Sequence, residues 1–269
     1  MVDADTLAER HEEADHRTSA ERAAADRTWA FGHVIVDEAQ ELSEMAWRLL
    51  MRRCPTKSMT VVGDTAQSGD LAGTLSWGRV LDPYVKGRWR LENLTQNYWV
   101  PAEIMAVAAD VLTEIGADLE APTSVRESGV EPWGLQVSPE ELTDRLIQVI
   151  AIEAAGLADR RMAVITPNSL LESLGPAIAE GVPQASVGED PMASSPIVVL
   201  DVKQAKGLEF DEVLVVDPGL IIAESPRGLN NLYVALTRAT QRLGVVHTTE
   251  LPASLARPRA LDAWLSVED

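Results

Sequence analysis

Cysteine, lysine and long apolar runs are scarce in this chain of 269 residues, and each scarcity excludes something. The single cysteine, Cys54, excludes an internal disulfide and fits a reducing, cytoplasmic setting, as a small residue at a helix end. One cysteine and four scattered histidines make no zinc pattern. No apolar run approaches the roughly 18 residues of a membrane span, and the polar, acidic N-terminus does not read as a signal peptide. Basic side chains are outnumbered, 23 Lys and Arg against 42 Asp and Glu, for a net charge of −19. Nucleic-acid backbones are bound by Lys and Arg that neutralise phosphates. The chain is therefore a poor non-specific nucleic-acid binder overall, with a local basic groove left open. Acidity serves solubility, and also suits docking on the basic surface of a nucleic-acid enzyme. The four lysines are Lys57, Lys86, Lys203 and Lys206, and none follows a glycine. The G-x-x-x-x-G-K-[ST] loop that wraps nucleotide phosphates is thus absent from these residues.

What is present is a globular composition, 46% apolar, with length for one large core or two smaller ones. Asp3 to Asp26 reads as an exposed, charged helix. Apolar runs predict strands at 32–37, 58–62, 88–92, 162–166, 197–202, 212–217 and 242–247. Helical spacing and capping predict helices from Ser43 to Arg53, with Ser43 as N-cap, near 74–81, from Pro101 to Ile115, and at 139–155, 168–180 and 228–240. Residues 116–133 and 181–195 read as loops rich in Gly, Pro and Ser. Strands alternating with helices imply an α/β fold with mainly parallel sheets. A boundary is expected near residues 93–100.

The most telling stretch is His33-Val34-Ile35-Val36-Asp37-Glu38-Ala39-Gln40, an apolar run ending in two carboxylates and an amide. Ligand sites of α/β folds lie beyond strand C-termini. Two carboxylates there suit a nucleotide site. Asp37 is placed to hold Mg²⁺ directly or through water, Glu38 to orient or deprotonate an attacking water, and Gln40 to report on the terminal phosphate. The structural alternative is a surface Asp-Glu pair at a strand end.

Five motifs stand in one order: Val36-Asp37-Glu38-Ala39-Gln40, Val62-Gly63-Asp64-Thr65-Ala66-Gln67, Leu94-Thr95-Gln96-Asn97-Tyr98, Lys206-Gly207-Leu208-Glu209-Phe210 and Tyr233-Val234-Ala235-Leu236-Thr237-Arg238. Together they resemble motifs II to VI of superfamily 1 helicases of the UvrD/Rep type. Within that superfamily the chain most resembles actinobacterial HelD, a motor ATPase that binds RNA polymerase and frees it from stalled complexes. Arg27 to His33, the Trp47–Cys54 helix, Asp201 before Ala205-Lys206-Gly207, and Asp211 after Phe210 carry this closer resemblance. So does the short stretch between Asn97 and Gly207, which leaves no room for the insertion of UvrD-type unwinding enzymes.

The resemblance implies two RecA-like units. Residues 1–92 would be the rear of the first, without its phosphate loop, and 93–269 the second. It implies ATP and Mg²⁺ as cofactors of the complete protein, RNA polymerase as partner, and a cytoplasmic monomer. Asp37 and Glu38 would serve the metal, and Glu38 would also activate water. Gln67 would sense the terminal phosphate, Glu209 would accept a hydrogen bond from the ribose, and Gly207 with Lys206 would shape the adjoining loop. Arg238 would be an arginine finger. Each also has a plainer reading: Gln67 as a turn residue, Glu209 as part of a charged turn, Arg238 as an exposed helix arginine. Tyr233 reads as core packing. Two departures stand out. Trp99 occupies the place where the family carries a phosphate-contacting arginine, and tryptophan supplies no bidentate charge. Lys203 stands where UvrD-type enzymes carry a track-contacting histidine. Trp47, Trp77 and Trp89 read as core or interface residues, and the Trp133 loop as a candidate exposed stacking platform. The alternatives are a fragment closer to UvrD or helicase IV, acting on DNA, and a truncated, non-catalytic paralogue serving as a binding module.

Overall fold

Short apolar runs and amphipathic stretches alternate along the chain, and they fold as parallel strands joined by helices. A computed structural model describes residues 30–116, 119–188 and 195–255. The helix expected over Asp3 to Asp26 lies outside these residues. The described chain divides into two compact units. One comprises the residues up to Asp64 together with Ala72–Arg90, the other Thr65–Leu71 together with the chain from Leu91 onward.

In the first unit, β1 (Val34–Val36) pairs in parallel with β2 (Met59–Val61), Val34 opposite Met59. Between them runs α1 (Glu44–Arg53). Its N-cap is Ser43, whose Oγ accepts from the Ala46 N–H at 3.3 Å. Cys54 closes the helix as a buried residue, its Sγ donating to the Ser58 carbonyl at 3.3 Å. A second helix, α2 (Trp77–Val85), lies later than the 74–81 expected. The core gathers Val36, Ala39, Trp47, Met51, Val80, Leu81 and Val85, with Trp77 and Trp89 packed against it. The strand expected at 88–92 does not form. Its apolar alternation has another cause: the Trp89 indole N–H donates to Asp82 Oδ1 at 2.8 Å, and the Arg88 side chain donates to the Val85 carbonyl. Both fold the segment back onto α2.

In the second unit the strands are β3 (Gln96–Asn97), β4 (Thr123–Ser124), β5 (Trp133–Gln136), β6 (Met162–Thr166), β7 (Ala185–Val187), β8 (Ile197–Asp201), β9 (Phe210–Val216) and β10 (Ala239–His247). The short pair β3–β4 stands apart. The others form one six-stranded parallel sheet in the order β5-β10-β9-β6-β8-β7. Its helices are α3 (Ala102–Ile115), α4 (Leu142–Ala155), α5 (Asn168–Gly181), α6 (Val202–Ala205), α7 (Pro218–Ala223) and α8 (Gly228–Leu236). Successive residues of the central strands point to opposite faces. Ala163, Ile165, Val213 and Val215 join α3 and α8 in one core, while Met162, Val164, Leu214 and Val216 join α4 and α5 in the other. Burial on both faces is why these strands are nearly unbroken apolar runs. The expected α/β class with parallel sheets is the class observed.

Several boundaries differ from expectation. Residues 116–133, read as a loop, include β4 and end on the first residue of β5, and the loop read at 181–195 contains β7. The helix expected at 228–240 stops at Leu236, and β10 begins at Ala239 instead of 242. Thr237 Oγ1 donates to the Tyr233 and Val234 carbonyls, and the Arg238 carbonyl accepts from Phe210 N–H, which draws the chain into the sheet. Trp133, proposed for exposure, is 6% exposed, because its ring packs over Gly244 of the neighbouring strand β10 and joins the core with α4, although β5 is the sheet edge. Among the described residues no helix is long and apolar enough to cross a membrane.

Candidate functional site

The first group of candidate residues follows β1. Asp37 and Glu38 are exposed at its C-terminal end. Glu38 adopts left-handed backbone (φ 50°), and its N–H donates to Asp37 Oδ1 at 2.9 Å. A non-glycine residue there costs on the order of 1 kcal/mol. Gln40 is buried, 1% exposed. Its amide nitrogen donates to Glu38 Oε2 at 2.6 Å, and its Oε1 accepts the Asp64 N–H at 3.1 Å. So the amide expected to read a phosphate is engaged in holding the neighbouring carboxylate and the chain after β2.

Two carboxylates suit a magnesium ion that keeps waters and takes its remaining oxygens from nucleotide phosphates. No cluster of three or more metal-binding side chains occurs among the described residues, so a protein-only cage is not offered. The phosphate-wrapping loop that Mg²⁺–ATP requires is absent from the sequence, so Asp37 and Glu38 could serve only the metal side of such a site.

The second group converges on Arg238, which follows the C-cap of α8 and precedes β10. It is buried, 9% exposed. Its Nε donates to the Val234 carbonyl at 3.2 Å and its Nη1 to the Leu208 carbonyl at 3.3 Å. Its Nη2 donates to Gln67 Oε1 at 2.9 Å. One guanidinium therefore joins the segment Thr65–Gln67, a 3₁₀ turn, to the loop Lys206–Glu209 and to its own helix. The exposed helix arginine of the plainer reading is not what is found. The loop is set by α6, where Asp201 and Gln204 form a reciprocal capping box, Gln204 N–H to Asp201 Oδ1 at 2.7 Å and Asp201 N–H to Gln204 Oε1 at 3.0 Å. Gly207 then turns with φ +70°, a conformation that favours glycine. Glu209 is exposed beside it, and Lys203 is exposed on α6. Tyr233 is buried in the core, as expected.

Residues 196–246 match the family model described as the UvrD-like helicase C-terminal domain. The chain contains a UvrD-like helicase C-terminal domain. The matched stretch of this helicase domain runs from β8 to β10 and includes the Lys206–Glu209 loop, α8 and Arg238. A solved structure, the C-terminal domain of a possible DNA helicase from Lactobacillus plantarum, is similar at 22% identity. That match has a TM-score of 0.46 and covers 60% of this chain and 93% of that one. A search of curated proteins gives no match.

Two sets of expected residues are thus brought together: Asp37, Glu38 and Gln40 in the first unit, and Gln67, Gly207, Glu209 and Arg238 in the second. Trp99 is 63% exposed, and its N–H donates to Asn97 Oδ1 at 2.9 Å. Sequence reasoning missed Arg227, Asn230 and Asn231, which meet the Thr65–Leu71 segment from α8 and its N-cap. The available signal was a pair of asparagines among Leu, Tyr and Val on a buried helix, because buried polar side chains have partners.

Proposed function

We propose that this chain is the C-terminal portion of a HelD-like superfamily 1 motor, which in its complete form couples ATP hydrolysis to remodelling or release of RNA polymerase. The observation that carries the reading is the Arg238 junction. An arginine finger needs a buried, fixed guanidinium beside a terminal-phosphate sensor, and Arg238 lies 2.9 Å from Gln67 with the Lys206–Glu209 loop on its other side. Mg²⁺ would be served by Asp37 and Glu38 once a phosphate loop supplied the nucleotide. When bound, ATP and Mg²⁺ supply the phosphoryl group and the charge that polarises it. The acidity of the chain supports a protein partner over a nucleic-acid track.

A second reading is favoured by the UvrD-like family match: a fragment of a UvrD- or helicase IV-like DNA helicase. A third, a non-catalytic paralogue acting as a binding module, is favoured by the absent phosphate loop and by Trp99. The test is a titration of the purified chain against core RNA polymerase and, separately, single-stranded DNA, over a salt series. The expected result is saturable polymerase binding with weak DNA retention. DNA binding that falls steeply with salt, without polymerase binding, overturns the HelD-like reading in favour of the second.

A further inference from the structure

We propose that Arg227 and Asn230 are positioning residues that clamp the Thr65–Leu71 segment onto α8 and so present Gln67 to Arg238. The segment contains one 3₁₀ turn, with a Ser68 N–H to Thr65 carbonyl bond of 3.3 Å. Three of its carbonyls accept from α8 and its N-cap. Arg227 Nη1 donates to the Ser68 carbonyl at 3.2 Å and to Ser68 Oγ at 2.6 Å, while Nη2 reaches the Leu71 carbonyl at 3.1 Å. Asn230 Nδ2 donates to the Ala66 carbonyl at 2.7 Å from a buried position. These contacts bracket Gln67, the residue whose amide meets Arg238.

The middle of the segment is moulded to the same surface. A Cβ built on Gly69 collides with Asn231 Oδ1 and comes within 3.1 Å of Lys206 Nζ. Ala66 and Ser68 are buried, so the segment is seated on its floor and not merely laid across it. A guanidinium is the one side chain whose planar fork can hold two carbonyls three residues apart and a hydroxyl together; an ammonium is a point charge. Because the hold is made by side chains, it is able to open without unfolding either the sheet or α8. That makes the Gln67–Arg238 contact adjustable, as a sensor–finger pair requires. What Gln67 senses rests on the function proposed above, but the clamp itself does not.

The test uses the full chain and two readouts: amide hydrogen exchange of peptides spanning 65–71, and modification of Arg238 by an arginine-selective dicarbonyl, located by mass spectrometry. In Arg227→Ala, exchange in 65–71 is expected to rise about tenfold or more, the scale of losing a charge-assisted hydrogen bond, and in Asn230→Ala about several-fold, the scale of a neutral one. Peptides from β6 and β9 should stay unchanged, and Arg238 should become several-fold more reactive as Gln67 leaves it. Arg227→Lys should not restore protection. Gln67→Ala should leave the segment protected while raising Arg238 reactivity, which separates the clamp from the contact it presents. Unchanged exchange in both alanine variants, or full protection with lysine, overturns the proposal. Loss of polymerase binding in the unsubstituted chain would defeat the functional reading while leaving these outcomes intact.

Discussion

Gln40 sits where a phosphate reporter was expected, yet its amide spans Glu38 Oε2 and the Asp64 N–H, and its own carbonyl accepts the Thr74 N–H at 2.6 Å. Such a side chain stabilises the loops around the two carboxylates. Gln40→Ala removes an acceptor from a part-buried N–H, and the cost is expected to be about 1–3 kcal/mol. Urea unfolding followed by tryptophan emission checks this through a lowered midpoint. An unmoved midpoint would mean that the amide is dispensable to the scaffold. In the second unit, Glu212 is 2% exposed on β9, with Arg160 Nη1 2.8 Å from its Oε1 and Glu153 and Arg242 beside it. Burial pushes its carboxyl above the ordinary value, the Glu153 charge adds to the rise, and Arg242 and Arg160 oppose it. A carboxyl raised in the folded state contributes stability that is complete below its unfolded value and lost as pH rises through the folded one. Glu212→Gln escapes that loss. Its stability relative to the unsubstituted chain is therefore expected to improve from acidic toward neutral pH, as read by melting temperature across a pH series. A relative stability that falls over that range would show that the ion pair with Arg160 dominates.

At the scale of elements, capping was the most legible feature. Ser43 was readable as an N-cap because it precedes an acidic first turn and an amphipathic run, and the bond to Ala46 N–H is present. Ser43→Ala is expected to cost about 1 kcal/mol, measured by the same unfolding titration; no loss would show that tertiary packing alone fixes α1. The strand β6 was read to the residue because Met162 to Thr166 is apolar on both faces. What was not legible depended on contacts distant in sequence. The Arg88–Glu92 stretch alternates like a strand, but a tryptophan-to-aspartate bond within the α2 neighbourhood decides it. β5 was hidden because a glycine interrupts Trp133 to Gln136, and that strand exists by pairing with Gly244 to His247 more than a hundred residues later. For the site, the motif residues were legible as residue types in order, whereas the clamp from Arg227 and Asn230 was not. An arginine at a helix entrance carries no pattern, and the asparagine inside it signals a partner without saying which, until the segment they grip is seated beside them.

For the molecule as a whole, the two faces of β1 differ in burial. Val36 is buried, but Ile35, the next residue on the other face of β1, is 72% exposed. Parallel strands carry apolar residues at consecutive positions when both faces are covered. The catalytic consequence follows from what phosphoryl transfer demands: a positioned nucleotide with its charge neutralised from several sides. On the proposed reading, Asp37 and Glu38 would supply carboxylates in the first unit, and Gln67 and Arg238 an amide and a guanidinium in the second; the sequence has no G-x-x-x-x-G-K-[ST] loop, and Trp99 brings no charge. The purified chain with Mg²⁺ and ATP is therefore expected to release no phosphate above the enzyme-free background, and millimolar ATP to leave its melting temperature unmoved, since a ligand stabilises only what it binds. Trp99→Arg alone should not rescue turnover, because the added guanidinium has no held phosphate to meet. A turnover on the order of 10 s⁻¹, ordinary for an enzyme, would mean that these residues bind phosphates by a route other than the glycine-lysine loop.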